Sequence, residues 1–129
     1  MPFLDSITTD AAPQPLGHYS QPMVTPDGTI RVSAQLPLGG GVHPDSRVVE
    51  QARQALANVL AIVESTGASG NSIARITVYL SDISDWEVVD AVVGEVPGEH
   101  RPARTVLQVS GLHRGFRIAA DAVAHRVLS

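Results

Sequence analysis

The stretch Phe116-Arg117-Ile118-Ala119-Ala120-Asp121-Ala122-Val123-Ala124-His125-Arg126-Val127 decides how this chain must fold. At the two-residue period of a strand, Ile118, Ala120, Ala122 and Ala124 fall on one face. Ala119, Val123 and Val127 fall on the other. Both faces are apolar and their side chains are mostly small, so a strand here needs cover on both sides. Helices can cover one face. The other is left for a second copy of the chain, which predicts a homo-oligomer.

Working outward, Gly111-Leu112-His113-Arg114-Gly115 reads as a turn, and Thr105 to Val109 before it as a strand. That strand is entered through His100-Arg101-Pro102-Ala103-Arg104, which stands Arg104 at the strand's mouth. A guanidinium is always charged and matches a carboxylate in two-point geometry. Further upstream, Ala74 to Leu80 alternates as a strand and Asp82 to Asp85 is a turn. Asp85 is the expected cap of a helix from Trp86 to about Val96, ended by Pro97-Gly98. Val48, Val49, Ala52, Leu56, Val59, Leu60 and Val63 share one face of a longer helix. Asp45 or Ser46 is its expected N-cap and Gly67 its C-terminal cap. Met23-Val24-Thr25 and Thr29 to Ser33 flank Pro26-Asp27-Gly28 as a β-hairpin. Residues 1–15 read as an extended N-terminal arm and 16–129 as one domain. The order β-β-α-β-α-β-β predicts an α+β fold: one sheet, with two helices on one face.

Composition narrows the chemistry. All nine basic residues are arginine, so there is no lysine to hold PLP as a Schiff base or to build a P-loop. No cysteine is present, which removes disulfides and thiolate chemistry. The histidines at 18, 43, 100, 113 and 125 include no pair at metal-ligand spacing, so neither a catalytic metal nor a cofactor is expected. A formal charge of -4 disfavours nucleic acid as a partner. No apolar run is long enough for a membrane span, and Met1-Pro2-Phe3-Leu4-Asp5 lacks the features of a signal peptide, so a cytoplasmic location is the expectation.

Several segments resemble, in order, the RidA (YjgF) family of reactive intermediate deaminases. They are Gly17-His18-Tyr19-Ser20-Gln21, Val32-Ser33-Ala34-Gln35-Leu36-Pro37, Gln51 to Val59, Ile76 to Ile83, Arg101-Pro102-Ala103-Arg104-Thr105 and Ala120-Asp121-Ala122-Val123-Ala124. The resemblance spans nearly the whole chain from about Ala12. It implies a chorismate-mutase-like domain, a barrel-like homotrimer and ligand pockets in the clefts between subunits. It also implies hydrolysis of 2-imino or enamino acids to 2-keto acids and ammonia. By the same resemblance Arg104 grips the substrate carboxylate, while Tyr19 and Ser33 line the pocket.

Three departures stand out. The family's Ile-Glu-Ile-Glu-Ala strand has a first glutamate that positions the attacking water, and this chain has Ala119 there. Asp90 replaces a helix asparagine near the pocket. Ala34 and Val106 are milder changes at pocket positions. The remaining carboxylates, Asp121 and Asp90, are therefore the candidates for acid–base work. Asp121 otherwise makes a structural hydrogen bond, and Asp90 otherwise pairs with Arg104 and competes with the ligand. Taken without the resemblance, Arg104 is a surface charge, Tyr19 an interface side chain and Ser33 an ordinary strand serine. Arg101 is expected to be a solvated or interface charge. Three functions follow: a deaminase that is weak or altered for want of the glutamate, a non-deaminating protein for small carboxylates (or an enzyme for another substrate) on the same trimeric scaffold, and, least favoured, a ribonuclease.

Overall fold

The computed structural model describes residues 4–95 and 101–126. Strand β6 (Ile118–His125) is paired along both edges, antiparallel to β3 (Thr29–Gln35) on one side and to β4 (Ile73–Leu80) on the other. Beyond β3 lie β2 (Pro22–Val24) and β1 (Asp5–Ser6), and beyond β4 lies β5 (Ala103–Gln108). The sheet order is β1-β2-β3-β6-β4-β5, and only the β4–β5 pair is parallel. Parallel neighbours need a crossover. Helix α2 (Trp86–Glu95) supplies it, while the longer α1 (Val48–Ser65) joins β3 to β4. This is the expected α+β sheet with two helices, extended by β1. That short strand comes from the predicted arm, whose Asp5 and Ser6 pair with Val24 and Met23.

The register fixes which residues meet. Val32, Ala122 and Ile76 lie side by side across three strands, followed by Ala120 and Val78, then Ile118 and Leu80. All are buried and lie in one core with Ala52, Ala55, Leu56, Val59, Ile62 and Val63 of α1 and Val89, Val92 and Val93 of α2. The alanines of β6 leave room for the larger α1 side chains, as close packing requires.

The hairpin turn forms as the Asp-Gly signal requires. Gly28 has φ 91°, a left-handed conformation, and an added Cβ would lie 2.9 Å from the Arg126 carbonyl oxygen. Asp27 accepts from the Thr25 hydroxyl at 2.6 Å and the Thr29 N–H at 3.0 Å. These bonds, led by that from Thr25, hold its carboxyl down at about 2.

Both predicted helix N-caps are corrected. Helix α1 starts after Arg47, which makes no side-chain cap, and the Ser46 hydroxyl instead accepts from the His43 N–H at 2.9 Å. The first turn is held by Gln51, whose amide donates to the carbonyls of Pro44 and Ser46, both at 2.9 Å. Its side-chain oxygen accepts from Arg117 N–H at 2.9 Å, tying α1 to the segment entering β6. Asp85 does not cap α2. It is buried and takes both its oxygens to Arg117 Nη2 at 2.8 and 2.7 Å, while Asp82 accepts from the Ser84 N–H in the preceding turn. Gly67 does follow the C-terminus of α1 as expected, with φ 91° and its N–H on the Glu64 carbonyl at 3.0 Å. The predicted end of the second helix at Val96-Pro97-Gly98, and Val127 of the last strand, lie outside the described residues.

Gln51 is fully buried and satisfies three backbone groups at once. Gln51→Leu keeps the volume and strands those groups, so it is expected to lower stability by about 1–3 kcal/mol. The expected readout is a fall in the urea midpoint without a change in m. An unchanged midpoint would contradict this role.

Candidate functional site

Residues expected to share one pocket occupy two clefts and one sheet face. Arg104 pairs in register with Ile76, whose side chain is in the core, so it lies on the helix-bearing side of β5. There it meets α2. Its guanidinium hydrogen-bonds Asp90 in an ion pair and lies 5.1 Å from the centroid of the Trp86 ring. Trp86 and Asp90 are four residues apart on α2 and so project from the same side of the helix. The ring attracts the cation from one direction while the carboxylate holds it from another. The Arg104 side chain is 25% exposed and that of Asp90 44%. They sit in a cleft of about 520 Å³ shared with Ala91, Val93, Gly94, Arg101 and Pro102. Arg101 is exposed, as expected, yet it borders the same cleft.

The second cleft, about 380 Å³, is lined by Leu16, Gly17, Tyr19, Ser33, Ala34, Leu36 and His113. Tyr19 is 45% exposed, and its hydroxyl accepts from the Leu16 N–H at 3.2 Å. The Ser33 hydroxyl donates to the Ser20 carbonyl at 2.6 Å. Ser33 and Ala34 lie where the β3–β6 register shifts between Val32 and Gln35. Such an irregularity releases side chains from the ladder and re-aims them. Tyr19, Ser33 and Ala34 thus come together as expected, and His113 joins them from its turn, but Arg104 does not. Val106 joins neither cleft. It pairs with Val78 and packs half-buried against the core.

Asp121 and Ala119 lie on the sheet face away from the helices. Asp121 accepts a 2.6 Å hydrogen bond from the Tyr79 hydroxyl. Tyr79 stands opposite Ala119 in register and leans diagonally across β6 to reach Asp121. Ala119 is only 3% exposed, so a longer side chain there needs the ring to swing away. The bond to Asp121, with partial burial and that carboxylate's charge, pushes the Tyr79 phenol up to about 12.

Sequence reasoning missed Tyr79 and Trp86. The four-residue step from Trp86 to Asp90 was a usable signal for the Arg104 partner set. No local pattern marks a tyrosine as the cross-strand partner of Asp121. Among the described residues no cluster of three or more His, Cys, Asp or Glu could hold a metal ion, and no helix is long and apolar enough to cross a membrane.

This geometry sits in a chain whose residues 9–126 match the family model described as Endoribonuclease L-PSP. The chain belongs to that family, also known as YjgF or RidA. A 2-iminobutanoate/2-iminopropanoate deaminase of Capra hircus is 37% identical over 121 residues, covering 92% of this chain and 87% of the goat protein. The crystal structure of the E. coli YjgF gene product superposes with a TM-score of 0.86 at 35% identity, over 95% of this chain and 99% of that one. E. coli TdcF, solved with bound serine, gives a TM-score of 0.86 at 31% identity with the same coverage. The recognition made from the ordered segments is borne out, as is the α+β fold.

The Tyr79–Asp121 bond has a pH signature. A phenol whose folded pKa is raised stabilises the fold at pH values below the ordinary value of about 10. That contribution is lost as pH rises from there towards 12. Difference absorbance at 295 nm is expected to show one tyrosine titrating near 12, returning towards 10 in Asp121→Asn. A Tyr79 midpoint near 10 in the wild type would contradict the bond.

Proposed function

We propose that the protein hydrolyses 2-imino acids and their enamine tautomers to 2-keto acids and ammonia, in a site completed between protomers of a homotrimer. The observation that carries the reading is Arg104 in its cleft: a guanidinium one-quarter exposed and held by Trp86 and Asp90, in a chain 37% identical to a protein named for this reaction. The substrate is a carboxylate with an electrophilic C2=N carbon beside it. Arg104 binds the carboxylate through charge-assisted hydrogen bonds. Water adds to C2, the C2–N bond breaks, and the nitrogen leaves as ammonia with the carbonyl oxygen drawn from water. Holding the two reactants in position supplies much of the acceleration.

The water must give up protons, and Asp121 is the carboxylate that fits, with the Tyr79 phenol as a neutral donor beside it. Asp121 and Arg104 lie on opposite faces of the sheet in one chain, so they can act together only if a neighbouring copy brings its Arg104 edge to this face. That division supports the homotrimer, with Tyr19, Ser33 and Ala34 of one copy facing Arg104 of the next. Val106, packed into the core, is left with no direct role. Because Ala119 supplies no carboxylate, the reaction is expected to be slower than in relatives that carry one there.

The test generates 2-iminobutanoate with an amino-acid oxidase and follows keto-acid formation. The wild type is expected to exceed the buffer rate, and Arg104→Ala to fall back to it. Asp121→Asn is expected to lose on the order of 10²-fold or more, as for a general acid–base group. A wild type at the buffer rate would sink this reading.

The second reading, a carboxylate-binding protein without turnover, is favoured by Ala119 and by the tyrosine drawn across it. Thermal stabilisation by small carboxylates that disappears in Arg104→Ala, without keto-acid release, would select it. Ribonuclease activity fits a lysine-free chain of charge -4 poorly. Tight, salt-sensitive RNA binding would reverse that judgement.

A further inference from the structure

The Arg104–Asp90 pair constrains what can bind beside it. A ligand carboxylate reaching Arg104 must either displace the Asp90 carboxylate from Nη1 or bind the remaining guanidinium donors beside it. Trp86 lies against the cation from another direction and narrows the alternative approaches. A simple anion therefore either leaves Asp90 unpaired or sets a second negative charge against it, in a partly desolvated cleft. Either arrangement is unfavourable. A ligand that carries a cationic nitrogen next to its carboxylate removes the difficulty. Its carboxylate takes Arg104, its N–H groups take Asp90, and one internal ion pair is exchanged for two intermolecular ones. An asparagine at this position would have no net charge and no such preference.

We infer that Arg104 and Asp90 form a zwitterion-reading pair, in which Asp90 recognises the protonated nitrogen on C2 of the ligand. The inference rests on the reading of Arg104 as the carboxylate contact. The ligand class is the 2-iminium acid, and the 2-amino acid as its stable analogue, in preference to 2-keto and 2-hydroxy acids of the same length. Asp90 then contributes at two stages. It holds the substrate nitrogen in its cationic form, which keeps C2 electrophilic. It also disfavours the keto-acid product, which has lost the nitrogen, so the internal ion pair re-forms as product departs. Arg101 borders the cleft and adds positive charge for either ligand alike, so it does not create the distinction.

Calorimetric titration at low salt, with 2-aminobutanoate and 2-hydroxybutanoate as matched probes, tests this. The wild type is expected to bind the amino acid about 10-fold more tightly, the worth of one charge-assisted hydrogen bond. In the nearly isosteric Asp90→Asn the preference is expected to disappear, the hydroxy acid gaining and the amino acid losing. Arg101→Ala is expected to move both probes together. Equal affinities in the wild type, a ratio unchanged by Asp90→Asn, or binding of neither probe would each overturn the inference. Keto-acid release is scored separately. Turnover without the zwitterion preference sinks only the role of Asp90, and preference without turnover sinks only the hydrolase reading.

Discussion

The double pairing of β6 is the constraint on which the remaining structure depends. Ala120, Ala122 and Ala124 face the helices, and β3 and β4 take their registers from this one strand. Small side chains at the centre let α1 pack Leu56, Val59 and Val63 deeply without forcing the sheet apart. The register is not free to slip, because a one-residue shift would turn the alanine row away from α1. It gives way between Ile73 and Arg75 on the β4 side, and between Val32 and Gln35 on the β3 side, where Ser33 and Ala34 leave the ladder and enter the cleft wall. A structural irregularity thus becomes a feature of the site.

On the proposed reading, the same sheet separates the chemistry into two half-sites. Joining β5 to β4 in parallel through α2 places Arg104 beside the crossover helix, on the covered face. Asp121 and Tyr79 stand on the uncovered face of the central strands. No side-chain rotation within one chain brings a carboxylate on one face to a guanidinium at the edge of the other. On the proposed reading, a second copy answers two needs at once. The uncovered face wants apolar cover, and the half-sites want each other.

Periodicity made the regular elements readable, but not which strands lie side by side in the sheet. Alternation picked out β4 and β6, helical spacing picked out α1, and Asp-Gly marked the hairpin. What was not legible is the work of polar side chains that span large sequence separations. Gln21 takes the arm through Thr9, Ala12 and Pro13, and Gln51 ties the start of α1 to Arg117. Asn58 holds the carbonyls of Leu36 and Leu38. Each is buried, and none falls on the apolar pattern of its segment. The expected caps failed for a related reason. Asp85 had a stronger partner in Arg117 than in any helix N–H, and Ser46 was taken by the loop before it. Within the site, residues sharing a segment were placed together correctly, as with Ser33 and Ala34. The separation of Arg104 from Tyr19 follows from sheet topology, which no single segment encodes.

On the proposed reading, Ala119 bears on how a site that lacks one carboxylate keeps its proton chemistry. A glutamate there would place its charge next to Asp121, one pleat along the same face, about 6–7 Å away. Two carboxylates so placed raise one another's pKa values. With alanine instead, Tyr79 lies across the gap and donates to Asp121, so the face keeps a single anion and gains a neutral donor. The raised phenol pKa keeps that donor protonated at any ordinary pH. Ala119 and Tyr79 thus have to be considered together. Glutamate introduced alone would have to displace the phenol before it could hold a water, and it would take from Asp121 the partner that now orients it.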